Sequence, residues 1–334
     1  MTTLPSHRFV SLLGLGSALL VAASCSSSSD PDTMPPTTAA GTGGATTTTT
    51  SGSGGEGALG GGGATGYDYC TACHDPTVHG TIANSELDST SGLAASLAHS
   101  GVYYAHNDEG DTPRFFATNL LGEDLGSYEL TGATHVDWED CSMGPCGSDA
   151  CLYLADIGDS TGIRSEYAVY RVSEPASVAA GTHQVSYERF PFQYPDGAHD
   201  ANTLLVHPRS GEIVVITTVF GGPSAAYRLP TPLQADTVVT LEAIGSVEPP
   251  SGSPEITGGD IHPEGEGLLL LTRTHLFFAP MTSEPIADAL GATLCSMPRA
   301  AEQQGESVAW STAGDGYTTV SEGAASAFSF HNCP

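Results

Sequence analysis

The sequence predicts an all-β protein, a β-propeller of five blades, with six as the alternative count and a β-sandwich as the competing architecture. Three observations carry this. Short runs rich in Val, Ile, Leu, Tyr and Phe recur between Gly, Pro, Asp and Ser, the pattern of strands and turns. Helical periodicity is nearly absent beyond residue 65, with one helical turn expected near 285–290. A strand-opening pattern also recurs five times, and spaced repetition of three or four strands is how propellers are written.

The clearest strand runs are residues 101–105, 114–118, 151–155, 167–171, 212–217, 267–271 and 317–320. The repeated opening is a small or acidic pair followed by an apolar residue. It occurs at Ser91-Gly92-Leu93-Ala94, Glu139-Asp140-Cys141-Ser142, Asn202-Thr203-Leu204-Leu205, Gly259-Asp260-Ile261-His262 and Glu306-Ser307-Val308-Ala309. A sheet of this size cannot bury both faces alone, so successive units must pack against one another around an axis. The last copy is followed by too few residues for four strands. Residues 67–88 precede the first copy and are expected to supply the missing strand. Trp138 and Trp310 adjoin repeat positions and are expected to pack between blades.

Ahead of this region the chain reads as an export segment. Arg8 gives a short basic start, residues 9–23 are apolar, and Ala22-Ala23-Ser24-Cys25 resembles a bacterial lipobox. Residues 1–24 are therefore expected to be a lipoprotein signal peptide, and Cys25 the acylated residue. Residues 25–65 are dominated by Ser, Thr and Gly and offer almost nothing to bury, so they are expected to form a disordered tether. Residues 66–334 are assigned to the propeller. The expected location is extracytoplasmic, anchored to the membrane by lipid, and to the outer membrane if the cell is Gram-negative.

Charge excludes several functions. The chain has 9 Lys+Arg against 38 Asp+Glu, a formal net charge of −29, and all nine basic residues are arginine. Without lysine there is no P-loop grip on phosphate and no Schiff base. Nucleic acid is excluded as a partner, because its binding needs basic patches. Acidic loops instead suit divalent cations, which take oxygen ligands.

The acids in the repeats and on the Gly-containing loops beside them are the expected metal ligands: Asn107, Asp108, Asp137, Glu139, Asp156, Asp159, Asp200, Asp260 and Glu306, holding Ca²⁺ or another divalent metal. Asp111 lies on the same loops. Arg164, Asp196 and His199 are expected to contact a ligand of small-molecule, glycan or protein type. The alternative for these acids is structural, since Asp and Asn satisfy turns in every β protein.

Cys70-Thr71-Ala72-Cys73-His74 matches the C-x-x-C-H motif of covalent haem c, with a disulfide as the competing reading. Export favours disulfides for the other cysteines. Cys146 and Cys151 flank a Gly-Ser turn and are expected to pair. Cys333 is expected to reach Cys295, or Cys70/Cys73 if the N-terminal segment closes the ring. Cys141 is the expected free thiol. Gly158-Asp159-Ser160-Thr161-Gly162 fits G-x-S-x-G, but a strand-like run follows where a nucleophile elbow needs a helix, so it reads as a loop.

Several strings resemble a family of secreted bacterial propellers similar to the phytase-like ("esterase-like activity of phytase") propellers. They are Ser91-Gly92-Leu93-Ala94, residues 106–111, Asp137-Trp138-Glu139-Asp140, Asp156-Ile157-Gly158-Asp159, Arg164 with residues 170–175, and residues 194–200. The resemblance implies a propeller and, as an activity, metal-dependent phosphoesterase chemistry. Ser160 stands where the family pattern carries Asn, and Thr218 where it carries Lys, so that activity does not transfer to these two positions. Three functions follow as expectations: a Ca²⁺-stabilised surface propeller that binds a ligand or partner, a phytase-like hydrolase, and a c-type haem redox lipoprotein.

Overall fold

The computed structural model describes residues 68–250 and 252–334; the expected signal peptide, Cys25 and the expected tether lie outside the described residues. The described chain forms five antiparallel blades in sequence order. Their innermost strands are Thr90–Ala95, Trp138–Cys146, Ala201–Val206, Ile256–Ile261 and Gly305–Trp310. These are blades 1 to 5 below.

Five buried clusters lie between the five blades, one per joint. Alternate residues of a strand serve opposite neighbours. In blade 2, Leu152 and Leu154 pack with Tyr104 and Phe115 of blade 1, while Tyr153 and Ala155 pack with Leu204 and Val215 of blade 3. Burial on both faces explains the unbroken apolar runs Ile213–Thr217 and Gly267–Thr272, every residue of which is buried. Trp310 packs in the joint between blades 4 and 5, edge-on to Tyr69, His262 and Tyr317. Trp138 stacks on His135 and fills the joint between blades 1 and 2.

The ring closes as the residue count requires. Gly305–Trp310, Gly316–Ser321 and Ala327–Asn332 supply three strands of blade 5, and Thr77–Thr81, from before blade 1, pairs with the last as its outermost strand. A helical turn, Tyr69–Ala72, precedes it, and the second short helix is Ala287–Leu290. Two disulfides pin the N-terminal turn, Cys70 to Cys295 of blade 4 and Cys73 to Cys333 beside blade 5. Cys146 pairs with Cys151 and Cys141 is free and buried. Of the two partners expected for Cys333, the N-terminal one is found. Cys70 and Cys73 are thereby corrected as haem ligands: each sulfur is bonded to another sulfur and is not free for a thioether.

The edges of two blades carry an added strand. Thr182–Val185, from blade 2, runs parallel to Gly126–Leu130 of blade 1, and Val239–Thr240, from blade 3, runs parallel to Glu188–Gln193 of blade 2. Each covers an open edge that would otherwise expose unpaired backbone groups.

Chain-entropy reasoning ranks the disulfides. Cys73–Cys333 spans 260 residues and Cys146–Cys151 spans 5, which corresponds to about 5.5 against about 2 kcal/mol of lost unfolded-state freedom. Replacing Cys73 and Cys333 by serine is therefore expected to lower unfolding stability more than replacing Cys146 and Cys151, as read by guanidinium titration. Equal losses would contradict a covalent ring closure.

Candidate metal centre

Each inner strand opens with a residue that has no partner on the neighbouring strand. The register skips Ser91, Glu139, Asn202, Thr257 and Glu306 in blades 1 to 5. A bulge of this kind re-aims its side chain out of the strand's alternation. In the fourth blade the skipped residue is Thr257, two positions before the expected Gly259. Gly259 and Asp260 imitate the motif, but they lie deeper in the strand.

The bulges knit the ring together. Ser91 Oγ donates to Glu139 O at 2.7 Å, Thr257 Oγ1 to Gly305 O at 2.7 Å, and Ser307 Oγ to Ser91 O at 2.7 Å. Two carboxylates, Asp140 buried and Asp260 half-buried, serve the same purpose. Asp140 accepts from the Leu204 amide at 2.9 Å and Asp260 from the Trp310 amide at 2.8 Å. Asp260 is thus corrected as a metal candidate: its oxygens are engaged with the Ile261 and Trp310 amides. It borders an apolar cavity of about 170 Å³ at the far end of the inner strands, lined also by Met143, Val206, Ile261 and Pro263.

At the bulge end, three carboxylates meet. Oxygens of Asp108, Asp137 and Glu139 lie within 4.8 Å of one another. Asp108 follows the second strand of blade 1, Val102–Asn107, and its amide donates to Ser89 O at 2.8 Å. Asp137 and Glu139 bracket the start of the inner strand of blade 2. Asn202, the bulge of blade 3, donates to Glu139 Oε2 at 2.6 Å, and Thr218 Oγ1 orients that amide through Asn202 Oδ1 at 2.6 Å.

The backbone of Gly158 closes over the pair. A Cβ there would stand 2.3 Å from Glu139 Oε1 and 2.4 Å from Asp137 Oδ2. The amide of Gly158 donates to Asp137 O, and its carbonyl accepts from Arg164 at 2.6 Å. A side chain here would have to push both carboxylates aside.

The acids repel. Burial first, then the charges of Asp108, Glu109 and Asp200, push Asp137 up to about 7. Burial and the same kind of crowding, from Asp108, Asp137 and Asp200, raise Glu139 well above the usual carboxylate range. Glu306 is pushed up to about 7 by burial, although Arg273 opposes the shift at 2.8 Å. Asp108 and Asp200 are raised, both chiefly by burial. A proton or a cation relieves such a cluster.

The other expected ligands are committed elsewhere. Asn107 is consumed by its loop, accepting from the amides of Asp88 and Ser89 and donating to Glu86 O and Asp111. Asp156 pairs with Arg164 at 2.8 Å and accepts from the Asp137 amide. Asp159 accepts from Ile163 N, Arg164 N and Tyr167 OH, which outweigh its burial and hold its carboxyl low. Asp200 Oδ1 accepts from the Asp159 amide at 2.7 Å, so this acid borders the centre with one oxygen in use. Arg164 lies over the Tyr167 ring and acts as a strut of the Gly158 loop. Exposed Asp196 and half-buried His199 form a separate group with the buried Tyr227. Ser160 is exposed in a loop, as its surroundings in sequence predict.

A polar residue two positions before each bulge marks the register in the sequence. Two residues before each bulge stand Ser89, Asp137, Asp200, Glu255 and Gln304. Pairing that position with the bulge would have brought Glu255 and Thr257 into register and set Gly259 aside.

Two outcomes test the geometry. Gly158→Ala is expected to destabilise the fold by about 1–3 kcal/mol through overpacking and to reverse partly when Glu139→Ala is added, as read by urea titration. Proton linkage gives the second. Asp137 and Glu306 hold their protons to about pH 7 when folded and release them near their ordinary values when unfolded. The folded state then binds more protons, and stability falls as pH rises through that window. The buried His106 and His331, lowered to about 4 by burial, oppose this at lower pH but are neutral in both states above pH 7. The chelator-treated protein is therefore expected to melt lower at pH 8 than at pH 7, and a bound divalent cation to shrink the difference.

Compared with protein-family models and with curated proteins, the chain matches none, so the propeller itself and the geometry of its acidic end are what define it.

Proposed function

We propose that this chain is an extracytoplasmic, lipid-anchored propeller that binds a ligand or partner at its acidic end and is stabilised there by Ca²⁺. The observation that carries the proposal is the convergence of Asp108, Asp137 and Glu139 from two blades beneath a glycine whose missing side chain leaves them room. Carboxylate oxygens at flexible spacing are the donor set that Ca²⁺ takes, and Ca²⁺ accepts six to eight oxygens, leaving places for water or a ligand. Bound there, the ion would supply positive charge to acids that burial and crowding have made costly to ionise. The three disulfides support export to an oxidising compartment.

The resemblance to phytase-like propellers supports a metal at this end more than it supports hydrolysis. Phosphate chemistry calls for free positive charge. Arg114, Arg164 and Arg273, the arginines on these loops, are each in an ion pair with an acid of the same end.

Calorimetric titration of the chelator-treated protein with Ca²⁺ is the test. Saturable binding is expected, with a rise in melting temperature equivalent to about 2.7 kcal/mol at a hundredfold excess over Kd. Asp137→Asn and Glu139→Gln are each expected to weaken binding by about tenfold or more, a loss of ~1.4 kcal/mol. Absence of both heat and stabilisation would overturn the metal reading, and phosphatase turnover lost in these variants would replace binding by hydrolysis.

A further inference from the structure

Eight large apolar side chains are exposed among the described residues, and four of them, Val136, Ile163, Val219 and Phe220, lie on connections of blades 2 and 3 at the end where the inner strands begin. Val136 lies on the connection into blade 2, Ile163 on the loop that follows its second strand, and Val219 and Phe220 on the corresponding loop of blade 3. Ile163 and Phe220 are 81% and 84% exposed, the two highest values of the eight. Single exposed apolar residues need no explanation, but a group of them beside a charged site marks a contact surface.

These loops also border the acidic centre. Val136 precedes Asp137. The Ile163 amide donates to Asp159 Oδ1, and the Asp159 amide donates to Asp200 Oδ1. Thr218, next to Val219, donates through its amide to Asp200 O. Ile163, Val219 and Phe220 therefore belong to the two loops bonded to Asp200, and Val136 adjoins Asp137. A second copy of the chain, with its net charge of −29, would be repelled from this face, and so would an anionic surface.

Resting on the reading of this end as the binding face, we propose that its partner is a basic polypeptide segment in which arginine or lysine alternates with apolar side chains. The cations would face the acidic mouth, and the apolar side chains would cover Ile163 and Phe220. Rim charges speed encounter and select the partner, while the buried apolar contacts hold it.

The test uses the full protein, with and without Ca²⁺, and a short synthetic peptide of alternating arginine and leucine. Binding by fluorescence anisotropy is expected, weakening as salt rises. Ile163→Ser with Phe220→Ser, both surface changes that leave the acids in place, is expected to weaken it by about tenfold or more. An arginine–serine peptide binding as well as arginine–leucine would overturn the proposal, as would no binding in either metal state. Self-association lost in the double variant would overturn it in favour of a second copy, and pelleting with zwitterionic vesicles lost in that variant in favour of a lipid surface. Ca²⁺ titration of the same samples reads the metal centre separately: peptide binding without metal binding supports this proposal and sinks the metal reading alone.

Discussion

One extra residue at the head of each inner strand governs this molecule. A regular strand would send that side chain into a joint between blades, where the apolar clusters lie. The bulge instead releases it from the ladder, and four of the five released side chains do one of two things, while the fifth, Asn202, bonds Glu139. Ser91 and Thr257 are short, and their hydroxyls bond the backbone of the next blade. Glu139 and Glu306 are long and charged, and they meet other polar groups at the same end, Asn202 and Arg273. Closing the ring and collecting acids at its mouth are therefore consequences of one backbone feature repeated five times.

The charge collected there is costly, and the fold restricts how it is relieved. Arginine neutralises some of it: Arg273 bridges Glu255 and Glu306, and Arg164 takes Asp156. None of the described arginines is paired with Asp108, Asp137 or Glu139 by an ion pair. Deeper in the ring, Asp140 is fully buried and Asp260 half-buried, but both accept backbone amides, so their oxygens are satisfied by the structure itself. The contrast separates these carboxylates from the group at the mouth, where the Glu109 amide donates to Asp108 and Asn202 to Glu139, and where three carboxylates crowd one another.

Much of this was legible in the sequence because it rests on local pattern. The run of strands, the five-fold repeat, the closing strand drawn from before blade 1, the Cys146–Cys151 pair and the free Cys141 all follow from spacing, punctuation or counting. What was not legible depends on partners distant in the chain. Asp156 and Asp159 read like Asp108 and Asp137, and only the folded position of Arg164 and Tyr167 diverts them. Gly259-Asp260 reads like a bulge because composition there mimics the motif, while the register places the bulge at Thr257. The parallel strands Thr182–Val185 and Val239–Thr240 carry no strong pattern of their own and form because an open blade edge lies beside them. The Cys70-x-x-Cys73 motif was ambiguous for the same reason: its chemistry is set by Cys295 and Cys333, which lie more than two hundred residues away.

Anomalous diffraction from crystals of the protein grown with a lanthanide in place of Ca²⁺ measures the central point directly. The account predicts a single strong peak at the bulge end, within carboxylate bonding distance of Asp108, Asp137 and Glu139. Peaks confined to outer loops, or none at that mouth with the side chains ordered, would contradict it.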